Sequence, residues 1–390
     1  MEPERIAIVG AGPAGLETAR AYREHGGAGE LTLIGEEPLL PYERPPLTKE
    51  LLRGELDASE LALEDRGWFD EHEVTLRIGE RVKSISPEHG SLLLDGGELL
   101  EADAIVLASG SEPLRPKLPG LDHPELITIR KLPDSVGLIE RSGDGAHVLV
   151  IGTGFIGCEI AASLTARDAR VTLIGEEPLP QLARLGEQAA GRIAGWLREL
   201  GVELVGDASV NAVHDGRTVE LGDGRRLDGA CVVLAMGSRP RGELARHASL
   251  LLSDDGAVVV DASMRAVDGP PSVFAVGDVA HAYNTSAGRH LRVEHWGDAL
   301  EHGAIAGAVL AGGDAGWNGV PGFWSTIGSH TLKYAAWGDG FDEARLDAGP
   351  DGQFTVWYSR HGAAVGVLTH EHDEDYEQGS ELVRAGKSTP

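Results

Sequence analysis

Two stretches of the chain carry the same order of apolar, small and polar positions. Arg5–Gly10 reads as a short apolar strand, a glycine turn follows, a helix is predicted over about Gly15–His25, and Leu31–Ile34 forms a second apolar strand. From Ala146 the order repeats: HVLVIGTGFIGCE gives strand, glycine turn and helix, and a second apolar strand follows. The octapeptide TLIGEEPL stands at Thr32–Leu39 and again, letter for letter, at Thr172–Leu179. Each half also closes alike, on an apolar strand, a glycine turn and a proline: IVLASGSEP at Ile105–Pro113 and the related CVVLAMGSRP ending at Pro240. A duplicated strand–turn–helix–strand unit predicts an α/β protein with two Rossmann-like halves.

Between and after the halves the pattern changes. A proline-rich loop, LLPYERPPLTKELLRGEL, follows the first copy, and the prolines of EPLRPKLPG mark a linker near Ser111–Gly120. Val273–Ala280, VFAVGDVA, is an apolar strand ending in a turn, and a helix is expected from about Ala299 to Leu310. After the glycine-rich AGGDAGWNG come strand-like Leu332–Trp337, Gln353–Ser359 and Ala363–Leu368, then a charged tail expected to be helical to Ala385.

Composition narrows the class. Of 390 residues, 42% are hydrophobic and 25% charged, the balance of a soluble globular protein. A formal charge of −28 argues against nucleic acid and anionic membranes as partners. No run approaches a membrane span, and the first strand begins too near the start for a secretory leader, so a cytoplasmic location is expected. Cys158 and Cys231 stand far apart with no CxxC or CxxxxC spacing, which excludes a disulfide framework or zinc site.

The chemistry sits at the turns. Gly10, Gly12 and Gly15 make one GxGxxG fingerprint, and Gly152, Gly154 and Gly157 a second. Glycines there let the backbone approach a pyrophosphate whose charge rests on a helix N-terminus. Two such units predict two dinucleotides, the arrangement for passing a hydride between them. Glu36 and Glu176, beside Glu37 and Glu177, stand where a carboxylate accepts hydrogen bonds from an adenosine ribose. Neither turn has an arginine for a 2′-phosphate, which favours NADH. Gly175, where an acid is more usual, keeps NADPH possible. Pro45 and Pro46 stiffen the backbone and remove two donors, as suits a wall against a flat ring, and Lys49 offers a cation to a reduced flavin. Asp278, after Gly277, either bonds a ribityl chain or caps a helix. Glu294 and Trp296 lie beside a helix N-terminus whose dipole suits an anionic flavin edge, and Trp324 is a candidate aromatic shield. The histidines and acids at His370, His372, Asp373 and Asp375 read as a solvated helix start, and no metal is expected. Cys158 reads as a packing residue.

Taken in order, GAGPAG, Tyr42–Lys49 (YERPPLTK), the second fingerprint with Glu159, Ala275–Val279, Val293–Ala299 and Phe323–Ser325 resemble the FAD-dependent NAD(P)H:ferredoxin reductases of the putidaredoxin-reductase and aromatic-ring-dioxygenase type. The resemblance spans essentially the full length. It implies a glutathione-reductase-like fold of two dinucleotide-binding domains plus a small α+β C-terminal domain: FAD on 1–113 and 241–317, NADH on 114–240, and a cap over 318–390. It implies that Lys49 pairs with Glu159 beside the reacting rings, and that Asp278 holds the ribityl chain with Trp296 near the flavin. Further cofactor contacts are expected at Ala14, Arg44, Pro45, Val82, Ala108, Gly110, Ile156, Gly237, Gly277 and His295. The implied activity is hydride transfer from NADH to FAD, then single electrons to a [2Fe–2S] ferredoxin serving a P450 or oxygenase, by a monomer or homodimer. An NADH oxidase or quinone-type reductase is one alternative, and an NADH-sensing flavoprotein like apoptosis-inducing factor is another. Thr326 and Ile327 depart from the family's usual acid and amide. Relatives that reduce disulfides need a CxxxxC pair beside the flavin, which YERPPLTK lacks, so that chemistry is excluded.

Overall fold

A computed structural model describes residues 3–143 and 145–390. The chain divides into two compact units: Met1–Glu43, Ala62–Glu112 and Arg239–Phe323 form the first, and Arg44–Leu61, Pro113–Ser238 and Trp324–Pro390 the second.

The first unit is built on a five-stranded sheet in the order Val273–Ala275, Ala104–Leu107, Arg5–Val9, Glu30–Gly35, Val74–Ile78. Every neighbouring pair is parallel, with Val9 opposite both Ile34 and Leu107. Parallel sheets of this kind are covered on both faces, which is why the central strand reads as an unbroken apolar run. The first helix spans Pro13–Glu24, starting two residues before the expected glycine because proline suits the first helical turn. The late helix of this unit begins at Trp296 and not at Ala299, His295 serving as its extended N-cap. It runs along the Pro13–Glu24 helix at close range: a methyl group added to Gly303 or Gly307 would stand 2.5 Å from the carbonyl oxygens of Ala14 and Thr18 respectively.

The second unit repeats the parallel pattern with four strands, in the order Glu203–Val205, Arg170–Ile174, His147–Ile151, Cys231–Leu234. Its helices include Phe155–Thr165 and Leu182–Glu199, the latter kinked at Gly186. A five-stranded sheet, Gly322–Ile327, His330–Ala336, Ala363–His370, Phe354–Arg360 and Glu343–Ala348 in spatial order, follows, with the Asp373–Ala385 helix against it. One hydrophobic core joins these parts: Leu173 and Ile193 of the nucleotide-binding half, Ile327, Phe354 and Leu368 of the late sheet, and Leu52 of the proline-rich segment. The Tyr358 hydroxyl donates to the Leu185 carbonyl at 2.9 Å within the same core. Trp324–Pro390 and Arg44–Leu61 both group with the second unit.

Candidate functional site

In the first unit the fingerprint is a cradle with its walls already touching. Gly10 has φ +123, and a methyl group there would lie 2.1 Å from the Ala108 carbonyl oxygen. At Gly15 it would lie 2.0 Å from the Gly10 carbonyl. A substituent on Gly12, by contrast, would meet nothing within 4 Å. Gly12 is the N-cap of the Pro13–Glu24 helix, and no side chain caps it, so the first-turn N–H groups face open space. That combination fits a pyrophosphate. Ala14 is buried in the first turn, and a methyl on Gly277 (φ +70) would stand 3.0 Å from its Cβ. The adjacent Asp278 accepts from the Ser111 hydroxyl at 2.8 Å, and Gly110 accepts from the Arg241 N–H at 2.9 Å. Glu36 is held by the Arg241 guanidinium at 2.7 Å. His295 bonds Asp298 at 2.9 Å at the head of the Trp296–Leu310 helix, where Trp296 is half-buried, and Glu294 pairs with Arg292. Val82 is buried in the Val82–Ser86 strand opposite Leu94.

In the second unit the same geometry recurs. Gly152 has φ +113, with a hypothetical methyl 2.2 Å from the Ala235 carbonyl, and Gly157 would strike the Gly152 carbonyl at 1.9 Å. Gly154 caps the Phe155–Thr165 helix without a side-chain bond, leaving the first turn uncapped. Ile156, on that turn, is 47% exposed. Gly175 cannot carry a side chain because Thr153 fills the space, its Cγ2 2.4 Å from where a Cβ would sit. An acid at this position would require Thr153 to shift. Glu176 is exposed, whereas Glu177 accepts from the Ala183 N–H at 3.1 Å and so caps the next helix. Gly237 has φ +93 and its carbonyl accepts from Leu114.

The same helix carries Glu159, and the proline-rich segment brings Lys49 to it. The two form an ion pair at 2.8 Å with side-chain exposures of 6% and 3%. Both carboxylate oxygens are used: Oε2 accepts from Lys49 and from Thr48 at 2.6 Å, and Oε1 accepts from Ser325 at 2.7 Å. Lys49 also donates to the Pro45 carbonyl at 3.0 Å. The Pro45–Thr48 turn is fastened from two sides, Ser163 donating to the Thr48 carbonyl at 2.8 Å and Ser135 to the Leu47 carbonyl at 2.7 Å. Arg44 donates to the Arg130 carbonyl at 2.5 Å. A buried pair persists only when its remaining lone pairs and protons are satisfied, as here.

Sequence reasoning named Lys49 and Glu159 but gave no role to Thr48, Ser325, Ser135 or Ser163. Thr48 and Ser325 lie inside the quoted motifs; the two serines on helices have no spacing that marks them. Trp324 is 41% exposed, and Ile327, one of the two departures, is wholly buried core, while Thr326 bonds Thr331 at 3.0 Å. His370 is not part of a solvated helix start: it ends the Ala363–His370 strand, 4% exposed, with its ring 5.0 Å from that of Trp196. Among the described residues no cluster of three potential ligands could hold a metal. Both cysteines are buried and unpaired, and burial with Glu159 alongside pushes the Cys158 thiol far above its ordinary range. No helix among the described residues is long and apolar enough to cross a membrane.

Comparison with known proteins agrees with this geometry. A family described as pyridine nucleotide-disulphide oxidoreductase matches residues 4–303. The ferredoxin reductase component of chlorobenzene dioxygenase from a Cupriavidus strain is 31% identical over 97% of this chain and 92% of its own length. Rhodocoxin reductase from Rhodococcus erythropolis is 31% identical over 95% of this chain and 87% of its own. Among solved structures, the covalent putidaredoxin reductase–putidaredoxin complex superposes with a TM-score of 0.91 at 26% identity, covering 98% of this chain and 93% of the other.

Proposed function

The chain belongs to the pyridine nucleotide-disulphide oxidoreductase family, and from that membership and its site we propose that it is an FAD-dependent NADH:ferredoxin reductase. The observation that carries the reading is the pair of uncapped fingerprint cradles, at Gly12 and Gly154, in a chain with no dithiol to reduce. Bound FAD supplies the conversion of a two-electron hydride from NADH into single electrons for an iron–sulfur protein. The residues present fit that group on the first unit: Gly10, Gly12, Gly15 and Ala14 receive the pyrophosphate, Glu36 the adenosine ribose, and Asp278 the polyol chain.

On the second unit Gly152, Gly154 and Gly157 receive the pyrophosphate of NADH. The exposed Glu176 is the ribose acceptor, since Glu177 is committed to its helix. Its negative charge opposes a 2′-phosphate, so NADH is the donor. Lys49 is the electropositive group of the hydride-transfer step, and Glu159, Thr48 and Ser325 hold its ammonium in one place. The acceptor is a ferredoxin of the [2Fe–2S] type serving an oxygenase or P450, and the enzyme is cytoplasmic.

Anaerobic titration of the purified protein tests this directly. A yellow protein bleached by one equivalent of NADH, with NADPH far less effective, and able to reduce a [2Fe–2S] ferredoxin supports the reading. A colourless protein that takes up no FAD overturns it, and rapid oxygen consumption without a ferredoxin assigns it instead as an oxidase.

A further inference from the structure

The turn after the second octapeptide holds a side chain with no structural employment. Gln181 precedes the Leu182–Glu199 helix and is only 8% exposed. Its backbone lies at φ 62 and ψ 18, in the left-handed region that a residue with a Cβ rarely adopts. Its side chain makes no capping bond, and among the described residues its amide has no hydrogen-bond partner. The capping is done elsewhere: Glu177 takes the Ala183 N–H, while the Gln181 carbonyl accepts from Arg184 and Leu185. The amide points at the fingerprint, since a methyl group on Gly154 would lie 3.8 Å from Nε2. In the first copy of the repeat the matching position is Pro41, which carries no donor.

We propose that Gln181 is a ligand of the pyridine nucleotide, its Nε2 donating a hydrogen bond to the pyrophosphate seated on the Gly152–Gly154 turn. Gln181 is about nine-tenths buried as a residue, and a ligand oxygen would supply the hydrogen bond that no described residue makes to its amide. A backbone held in a sparsely populated conformation is the kind of local strain that binding sites retain. The neutral amide adds a donor beside the helix N-terminus at Gly154, which has no side-chain cap, without a counter-charge that would compete for the anion. The inference rests on the second unit being the NADH site, and makes Gln181 a contact of the donor and not of FAD.

The test is calorimetric titration of the holoprotein with ADP-ribose, which carries the pyrophosphate, and with adenosine, which does not. Gln181→Gly keeps the left-handed turn and removes the amide, and it is expected to weaken ADP-ribose about tenfold. Gln181→Glu places a carboxylate against the phosphates and is expected to weaken it further, more so at low salt. Adenosine binding and the flavin spectrum stay at wild-type values in both. Dissociation constants for ADP-ribose within twofold of wild type in both variants overturn the assignment, as does equal weakening of adenosine, which marks a structural role. A wild-type protein that binds no ADP-ribose at all instead removes the NADH reading of this unit.

Discussion

At Glu159 one oxygen accepts from the adjacent Thr48 and Lys49 and the other from Ser325, so the carboxylate ties its helix to two other segments and is not one half of an isolated pair. Removing one member of a buried, hydrogen-bonded pair leaves an uncompensated charge, worth about 3 kcal/mol or more. Lys49→Met is therefore expected to cost about 3 kcal/mol by urea unfolding, and less than half of that in a Glu159→Gln background. Additive losses in that double-mutant cycle would show that the two groups are not coupled. His302 makes a different residue-scale prediction. It is fully buried, neither ring nitrogen has a hydrogen-bond partner among the described residues, and its ring meets Trp317 edge-on at 4.6 Å. Burial lowers its pKa to about 4, against the weaker pull of Asp298 and Asp278. The unfolded chain thus binds a proton that the folded chain refuses. Stability from this site is whole above about pH 6.5 and falls as the pH drops toward 4, by about 2 kcal/mol at pH 5. His302→Gln should flatten the pH dependence of urea midpoints between pH 7.5 and 5 relative to wild type; parallel curves would count against a neutral, unsolvated imidazole.

At the scale of elements, the repeat that is plain in the sequence has a packing reason that is not. In both copies a glycine at the end of the second strand, or just past it, lies beneath the residue that follows the first fingerprint glycine. A Cβ on Gly35 would come within 2.7 Å of the Ala11 Cβ, and one on Gly175 within 2.4 Å of the Thr153 side chain. Thr153 is β-branched and stiff, so the crowding cannot be relieved by rotation. Gly175→Ala is expected to destabilise the second unit by about 1–3 kcal/mol. Thr153→Ala in the same chain should recover most of the loss, because it leaves only the 3.0 Å approach to Cβ. Failure of the second substitution to rescue the first, read from thermal or urea midpoints, would refute the clash. The strands, fingerprints and their order were legible because buried parallel strands and glycine turns leave contiguous signals. The grouping of Arg44–Leu61 with the second half was not, since it depends on Leu52 entering a core assembled from segments hundreds of residues apart. Ser325 and Gln181 were hidden for the same reason: a hydroxyl and an amide become informative only through what they face.

At the scale of the whole molecule the dominant quantity is charge. The chain carries −28, and many of its cations are already tied to neighbouring carboxylates: Arg5 to Asp103 and Glu101, Arg77 to Glu80 and Glu98, Arg292 to Asp255 and Glu294. Such exposed pairs contribute little to stability but cancel positive potential where it would otherwise attract a partner. The field that an approaching protein meets is therefore negative over most directions, and it reaches about 30 Å at 0.01 M salt but only about 8 Å at 0.15 M. For an acidic ferredoxin this field opposes encounter, and screening it helps. The second-order rate of electron transfer to such a partner, followed by stopped-flow at saturating NADH, is expected to rise several-fold between 10 and 150 mM salt. A basic substitute such as cytochrome c should show the opposite slope. A rate to the acidic partner that falls with salt would mean that a local cationic patch overrides the net charge. The residues of that patch would then be sought among arginines whose carboxylate partners move away on docking.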